Sequence, residues 1–312
     1  MKRVVNGAKL IRNTLVSWVA AFSWSRQLLN AAYIRLTPSQ RNVFQREFSK
    51  IFRNGSIRGS NGSWEVMFAN KIIRIPLTSE QSWLDWDTAL SVVGQDIEVR
   101  ETYEALINSS ERPDLFIDIG ANYGTHSLLF LVHQIRTISF EPNTSCHDYF
   151  RRLCEANQVT PDLQPVALGE RRGYVALSYP RRDTWLGSVS TEVAERLALT
   201  EELVSENVEQ RTIDDYLSQI GHNRTLIKID TEGNELSVLR GAARTLQENK
   251  PYVVFECCND VQRVELFSFL DSRDYQICQV PWGPADKVQP LTSDQFRACS
   301  STNFVAVPMQ AA

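Results

Sequence analysis

The sequence predicts an α/β protein whose mostly parallel, seven-stranded sheet carries helices on both faces. Three observations lead there. From residue 115 onward, short and nearly continuous apolar runs alternate with amphipathic ones, the pattern of parallel strands buried on both sides. The first of these runs, Leu115–Ile119, passes straight into a small-residue turn, Gly120–Gly124, and then a helix. The chain's 312 residues, 43% hydrophobic and 22% charged, supply enough apolar material for one large domain with an appendage. No internal repeat or low-complexity tract interrupts the pattern.

Taken in order, residues 1–53 form a basic arm. Val4, Ala8, Ile11, Leu15, Trp18 and Phe22 recur at three- and four-residue spacing, which predicts an apolar helical stripe. The uninterrupted apolar run is too short to span a bilayer. Three readings of the arm stand side by side: packing on its own domain or a partner chain, contact with an anionic membrane surface, and a targeting peptide. Thr37-Pro38 breaks the stripe. Residues 54–97 then read as a linker and hairpin segment. Its glycine-containing loop is Asn54–Ser63, and its strands are Trp64–Phe68 and Lys71–Ile75 around Ala69-Asn70, with Pro76 as the stop. Trp83 and Trp86 lie in a polar stretch.

The main domain is predicted over residues 98–310. Glu98–Asn108 reads as a helix. Strand Leu115–Ile119 precedes a helix from Thr125 to His133, and strand Arg136–Phe140 precedes one from Thr144 to Asn157. A third strand is expected over Leu163–Leu168 and an extra one over Tyr174–Tyr179. Arg181–Ser190, with Trp185, reads as a polar loop, and Thr191–Ser205 as a helix. Thr212 and Asp215 have capping-box spacing ahead of a helix through Ile220. Strand Thr225–Asp230, helix Glu235–Gln247, strand Tyr252–Glu256 and helix Asp260–Leu270 follow, and Tyr275–Val280 and Asn303–Val307 close the sheet.

Charge is placed unevenly. Residues 1–46 hold eight basic and no acidic residues, which leaves 25 basic against 37 acidic residues in the remainder. An acidic body of this kind argues against a nucleic-acid-binding face, unless the arm alone provides it. The six cysteines show no CxxC pair and no zinc-type spacing with the four histidines, so free thiols and a cytoplasmic setting are expected.

The turn after the first parallel strand carries the chemistry. An α/β sheet opens its ligand crevice at the carboxyl ends of its strands, and Asp118 stands one residue before such an end. Glu141, 21 residues after Gly120, follows the second strand, where an acidic residue accepts hydrogen bonds from ribose hydroxyls. A nicotinamide oxidoreductase needs G-x-G-x-x-G, and the turn Gly120-Ala121-Asn122-Tyr123-Gly124 lacks the middle glycine. S-adenosylmethionine has no phosphate. Asp118 suits its ammonium group, and the turn amides suit its carboxylate.

FIDIGANYG, FEP at Phe140–Pro142, PVALGERRG at Pro165–Gly173, LIKIDTEGNELSVLRGA at Leu226–Ala242 and KPYVVFE at Lys250–Glu256 occur in that order. Together they resemble the FkbM family of methyltransferases over about residues 98–308. The resemblance implies a class I Rossmann-like methyltransferase, S-adenosylmethionine as donor, and a hydroxyl of a sugar, glycan or glycosylated natural product as acceptor. By position it assigns Asp118, Gly120, Asn122 and Gly124 to the methionine part, Glu141 and its neighbour Pro142 to the ribose, and Ala167 and Leu168 to the adenine. It also places Glu98 upstream of the first strand as a pocket residue, and aligns Ser188–Ser190 with a serine-containing loop. The arm and residues 54–90 match less well.

A sugar hydroxyl is a poor nucleophile until its proton has an acceptor. Asp230 and Glu232, at the end of the fourth parallel strand, are the candidate bases. Lys228, a cation within an apolar strand, either pairs with them or reaches solvent. Asp230, Glu232 and Glu256 at neighbouring strand ends also suit a divalent cation, although helix capping accounts for them without one. His126 is the outside candidate for a base, and Trp185 and Trp282 for stacking on a sugar. The rival readings are a nicotinamide oxidoreductase and a non-catalytic nucleoside-binding scaffold of the same fold.

Overall fold

A computed structural model describes residues 22–33, 35–37, 39–41, 43–44, 62–78, 82–94, 96–181, 187–258, 260–286 and 288–309. Most of the predicted stripe Val4–Phe22, the loop Asn54–Ser63 up to residue 61, and Trp185 lie outside them. The chain divides into two compact units. One holds the residues up to Ile97 together with Glu155–Gln158, and the other holds Glu98–Cys154 and Val159–Ala312.

In the first unit, helix α1 (Ser23–Tyr33) and helix α2 (Ser82–Gly94) accompany a hairpin of β1 (Gly62–Phe68) and β2 (Lys71–Leu77). Ala69 and Asn70 both take left-handed backbone, which a two-residue hairpin turn demands. β2 continues through Pro76, opposite Ser63 and beyond the expected stop, because a two-stranded ribbon leaves proline an edge position. The stretch around Trp86 is helical, not an irregular polar segment, and Trp86 packs edge-on against Trp64 at 4.7 Å between ring centres. Asp85 accepts from the backbone N–H of Thr78 at 2.7 Å.

The second unit opens with α3 (Ile97–Ile107), then β3 (Leu115–Ile119), α4 (Thr125–Leu131), β4 (Arg136–Phe140) and α5 (His147–Ala156). Next come β5 (Asp162–Gln164), β6 (Ala167–Leu168), β7 (Gly173–Pro180), α6 (Thr191–Ala198) and β8 (Leu203–Arg211). α7 (Leu217–Ile220), β9 (Thr225–Ile229), α8 (Glu235–Arg240) and α9 (Ala243–Glu248) follow. β10 (Tyr252–Glu256), α10 (Asp260–Asp271), β11 (Tyr275–Gln279), α11 (Ser293–Ala298) and β12 (Asn303–Pro308) complete it. The seven-stranded sheet has the order β11-β12-β10-β9-β3-β4-β5. β5, β4, β3, β9 and β10 run parallel, while β12 is antiparallel to both β10 and β11. This is the Rossmann-like class I layout that the resemblance implies. Chain order reverses between β3 and β9, so the ligand crevice belongs at their carboxyl ends. Every residue of β3 and β9 is buried, as expected for central parallel strands.

Three expectations about elements are corrected. The single strand Leu163–Leu168 is two: β5 joins the large sheet, whereas β6 pairs with β8 in a separate three-stranded sheet, and Pro165 lies between them. The helix predicted to Ser205 stops at Ala198, and Leu203–Arg211 is a strand paired along its length with β7. Its glutamates carry helical propensity, but antiparallel pairing with β7 overrides it. The helix Glu235–Gln247 is two helices separated at Gly241, where an added Cβ would lie 2.0 Å from the carbonyl oxygen of Gly169. The capping box is present, with Asp215 accepting from the N–H of Thr212 at 3.0 Å. Among the described residues no helix is long and apolar enough to cross a membrane.

Candidate functional site

Register builds the site. Asp118 on β3 lies directly opposite Ser139 on β4 and Lys228 on β9, so three polar residues form one row across buried strands. Ser127, one turn into α4, completes the group: its hydroxyl donates to Asp118 Oδ2 at 2.6 Å and lies 2.7 Å from the hydroxyl of Ser139. The Lys228 ammonium lies 3.2 Å from Asp230 Oδ2 and 3.6 Å from Asp118 Oδ1, and donates to the carbonyl of Gly120 at 3.2 Å. Lys228 therefore neutralises two carboxylates, and its head does not reach solvent. Asp118 Oδ1 has no hydrogen-bond donor although the residue is fully buried.

The turn between β3 and α4 is held by the protein itself. Gly120, Asn122 and Gly124 all have left-handed backbone. At Gly120 an added Cβ would sit 1.8 Å from the carbonyl oxygen of Asp230, and at Gly124 2.2 Å from the ring of Phe150. These glycines are thus required by close packing inside the fold. The N–H groups of Gly120 and Ala121 both donate to the carbonyl of Phe140, and that of Gly124 to Ala121. The N–H of Asn122 donates to Glu141 Oε2 at 2.7 Å. Internal bonds thus engage the amides of Gly120, Ala121, Asn122 and Gly124, four of the five expected to meet a ligand carboxylate.

Glu141 is buried, and Oε1 accepts from the N–H of Asn143 at 2.8 Å. Burial pushes its carboxyl up to about 7, with the two backbone N–H groups acting against that shift. His147 is buried behind it and donates from Nε2 to the Glu141 carbonyl at 2.8 Å. Pro142 is half-buried between Glu141 and Asn143. Ala167 and Leu168 are buried in the small sheet, and the Leu168 carbonyl accepts from Asn234 Nδ2 at 3.0 Å, which ties that edge to the end of β9. Glu98 is half-buried on the first turn of α3, and among the described residues no hydrogen bond or ion pair links it to the other site residues.

Past β9, carboxylates gather. Ligand atoms of Asp230, Glu232 and Glu256 lie within 4.8 Å of one another. Burial raises Asp230, but the Lys228 charge, His126 and hydrogen bonds from Lys228 and Glu256 outweigh it and hold the group below its ordinary value. Glu232 has left-handed backbone, a strained conformation for a residue with a Cβ. Burial, then the charges of Asp230 and Glu235, push its carboxyl up to about 7. Glu235 caps this turn, accepting from the N–H groups of Thr231 and Gly233 at 2.9 and 3.0 Å. The Ser188–Ser190 loop reaches the same place. Ser188 donates to the Glu232 carbonyl at 2.7 Å, and Ser190 caps α6.

His126 follows the turn, with Nδ1 3.1 Å from the hydroxyl of Tyr103. Burial, then the Lys228 charge, lower it to about 4, so its imidazole is neutral at pH 7. Trp282 is buried against Tyr252 at 5.2 Å, not offered to a ligand from a loop. Sequence reasoning missed Ser127, Ser139 and Tyr103. The first two are buried hydroxyls within elements made mostly of apolar residues.

A family model described as the methyltransferase FkbM domain matches residues 118–277, just over half of the chain. The hexuronic acid methyltransferase AglP of Haloferax volcanii is 29% identical over 154 residues, covering 47% of this chain and 58% of that protein. The chain thus spans less than two thirds of that relative's length. Among solved structures, methyltransferase FkbM from Methylobacillus flagellatus is similar at a TM-score of 0.40 and 16% identity, over 72% of this chain and 54% of the other. Precorrin-6y C5,15-methyltransferase from Geobacter metallireducens follows at 0.35 and 10%, over 68% and 85%. Ribosomal protein L11 methylase from Lactobacillus delbrueckii gives the same score and identity over 70% and 81%. With the motifs, the sheet order and a family model running from Asp118 at the crevice to Ile277 in β11, the chain belongs to the FkbM family of methyltransferases.

Proposed function

We propose that the protein moves a methyl group from S-adenosylmethionine to a hydroxyl of a sugar, glycan or glycosylated small molecule. The observation that carries this reading is Glu232. Its carboxylate stands at the crevice end of β9 with a pKa near 7, where a general base works best at neutral pH.

The residues fit the donor through unused acceptor capacity. Asp118 Oδ1 lacks a donor, and each oxygen of Glu141 takes one backbone N–H, which leaves a lone pair on each. Asp118 would hold the ammonium end and Glu141 the ribose hydroxyls, with Gly120, Asn122 and Gly124 shaping the wall between them. Ala167 and Leu168 would flank the base, Pro142 would lie beside Glu141 at the ribose, and Glu98 would close the pocket from α3. When bound, S-adenosylmethionine supplies an electrophilic methyl group on a sulfonium sulfur. Glu232 would take the proton of the acceptor hydroxyl as that oxygen bonds the methyl carbon and the carbon–sulfur bond breaks to leave S-adenosylhomocysteine, and Asp230, fixed by Lys228, would orient the hydroxyl.

The Haloferax relative supports a sugar acceptor. A hexuronic acid offers both hydroxyls and a carboxylate. The clustered Asp230, Glu232 and Glu256 favour the hydroxyl, because a fourth carboxylate would meet like charge. Incubation with methyl-labelled donor and neutral and acidic sugars tests both points. Label that resists mild alkali is an ether and supports the reading. Label released by alkali is an ester and contradicts the hydroxyl, and no transfer to any sugar contradicts the acceptor class.

A further inference from the structure

We propose that the outward face of α1 docks on an anionic lipid bilayer. The helix buries polar groups alongside one aromatic ring: its buried residues are Ser25, Arg26 and Tyr33. The Arg26 guanidinium donates to the Ser63 carbonyl at 3.1 Å. Asn30 accepts from the Trp64 indole at 3.1 Å and donates to the Glu65 carbonyl at 3.4 Å. The opposite side carries the apolar residues. Trp24 is 49% exposed, Leu28 61% and Phe22, just before the helix, 44%. Ala31 and Ala32 are exposed as well, so Trp24, Leu28 and Ala31 follow one another on a single helical face. A surface helix normally turns residues such as Trp24 and Leu28 inward.

The composition of that face and of its surroundings selects the occupant. Phe22 and Trp24 stack at 6.2 Å, and aromatic rings of this kind settle at the boundary between headgroups and acyl chains. Exposed Arg35 follows the helix, and the first 46 residues hold eight basic and no acidic side chains. That combination of apolar stripe and acid-free charge matches a surface with hydrocarbon beneath phosphate. A second copy placed helix to helix would bring two basic segments together, which opposes association. At 11 residues the helix lies on the bilayer and does not cross it.

The test uses the full chain and sedimentation with vesicles of phosphatidylcholine, alone or mixed with phosphatidylglycerol. Binding is expected to the mixed vesicles only and to weaken at raised salt. The double variant Trp24→Glu with Leu28→Glu should bind about tenfold more weakly, since two charges replace the inserted side chains. Both positions face outward, so circular dichroism should be unchanged. Equal sedimentation of variant and wild type, or no binding to the mixed vesicles, overturns the proposal. So does a wild-type dimer in light scattering that the double variant converts to monomer, because the face would then belong to a second copy.

Discussion

Two buried cations divide the second unit between them. Arg263 on α10 donates to the carbonyls of Cys257, Phe296, Arg297, Cys299 and Ser301, and lies over the rings of Phe296 and Phe304 at 5.6 and 5.1 Å. These partners are neutral, and they staple the segment between α11 and β12 to the end of β10. Lys228 instead faces two carboxylates and one carbonyl. A planar guanidinium suits the first task, because its fork serves many carbonyls at once. A point charge suits the second, because it lies beside two carboxylates while leaving them lone pairs for a ligand. Burial alone therefore does not mark a working residue. The partners do: neutral and complete in one case, charged and incomplete in the other.

Six substitutions and one titration sharpen that contrast. Arg263→Met should cost about 4 kcal/mol in chemical denaturation, since several buried carbonyls lose their donor. That loss should be the same in mild acid and at neutral pH, and activity per folded molecule should persist. Gly120→Ala should cost about 3 kcal/mol, because the new methyl meets backbone, and a side chain cannot swing aside to relieve it. Lys228→Met should behave unlike Arg263→Met in its pH dependence. Asp230 lies below its ordinary value chiefly because the Lys228 charge opposes burial, so the pair stabilises the fold above the unfolded value of about 3.9 and less so below it. The variant's deficit should therefore grow from acid to neutral pH, and a deficit independent of pH would erase the distinction between the two cations.

Glu232→Gln should lower methyl transfer about 100-fold and remove the rising limb of rate with pH centred near 7. An unaltered limb would assign the base elsewhere. Glu141 gives the opposite stability signature to Asp230. Its carboxyl is raised to about 7, so the folded state holds an extra proton between the unfolded value and 7, and stability falls as pH rises through that window. Glu141→Gln should flatten this slope in thermal denaturation. The smallest effect is expected for Ser127→Ala, about 1 kcal/mol for one hydrogen bond to Asp118.

Much of this was legible in the chain, for reasons that differ by element. β3, β4, β9 and β10 were read to within a residue, because central parallel strands must be apolar throughout and stop at polar turns. The start of β8 was misread: the helix expected to Ser205 overran Leu203–Ser205, which pair with Pro180, Tyr179 and Ser178 of β7. Asp118, Glu141, Lys228 and Asp230 were legible as chemistry at strand ends. Their partners were not, since Ser127, Ser139 and Tyr103 meet them only through register and helix packing. One signal was available. Ser139, Asp118 and Lys228 are each the fourth residue of a five-residue strand, so parallel pairing puts them in one row. The turn glycines carried a different lesson. Their presence was read as an opening for a ligand, whereas they make room for the protein's own backbone and for Phe150.

The most direct test is a calorimetric titration of S-adenosylmethionine into the wild type, Asp118→Asn and Glu141→Ala. The account predicts one site per chain in the wild type and affinity at least about tenfold weaker in each variant, the size of one charged hydrogen bond. Equal affinity in all three proteins would contradict it.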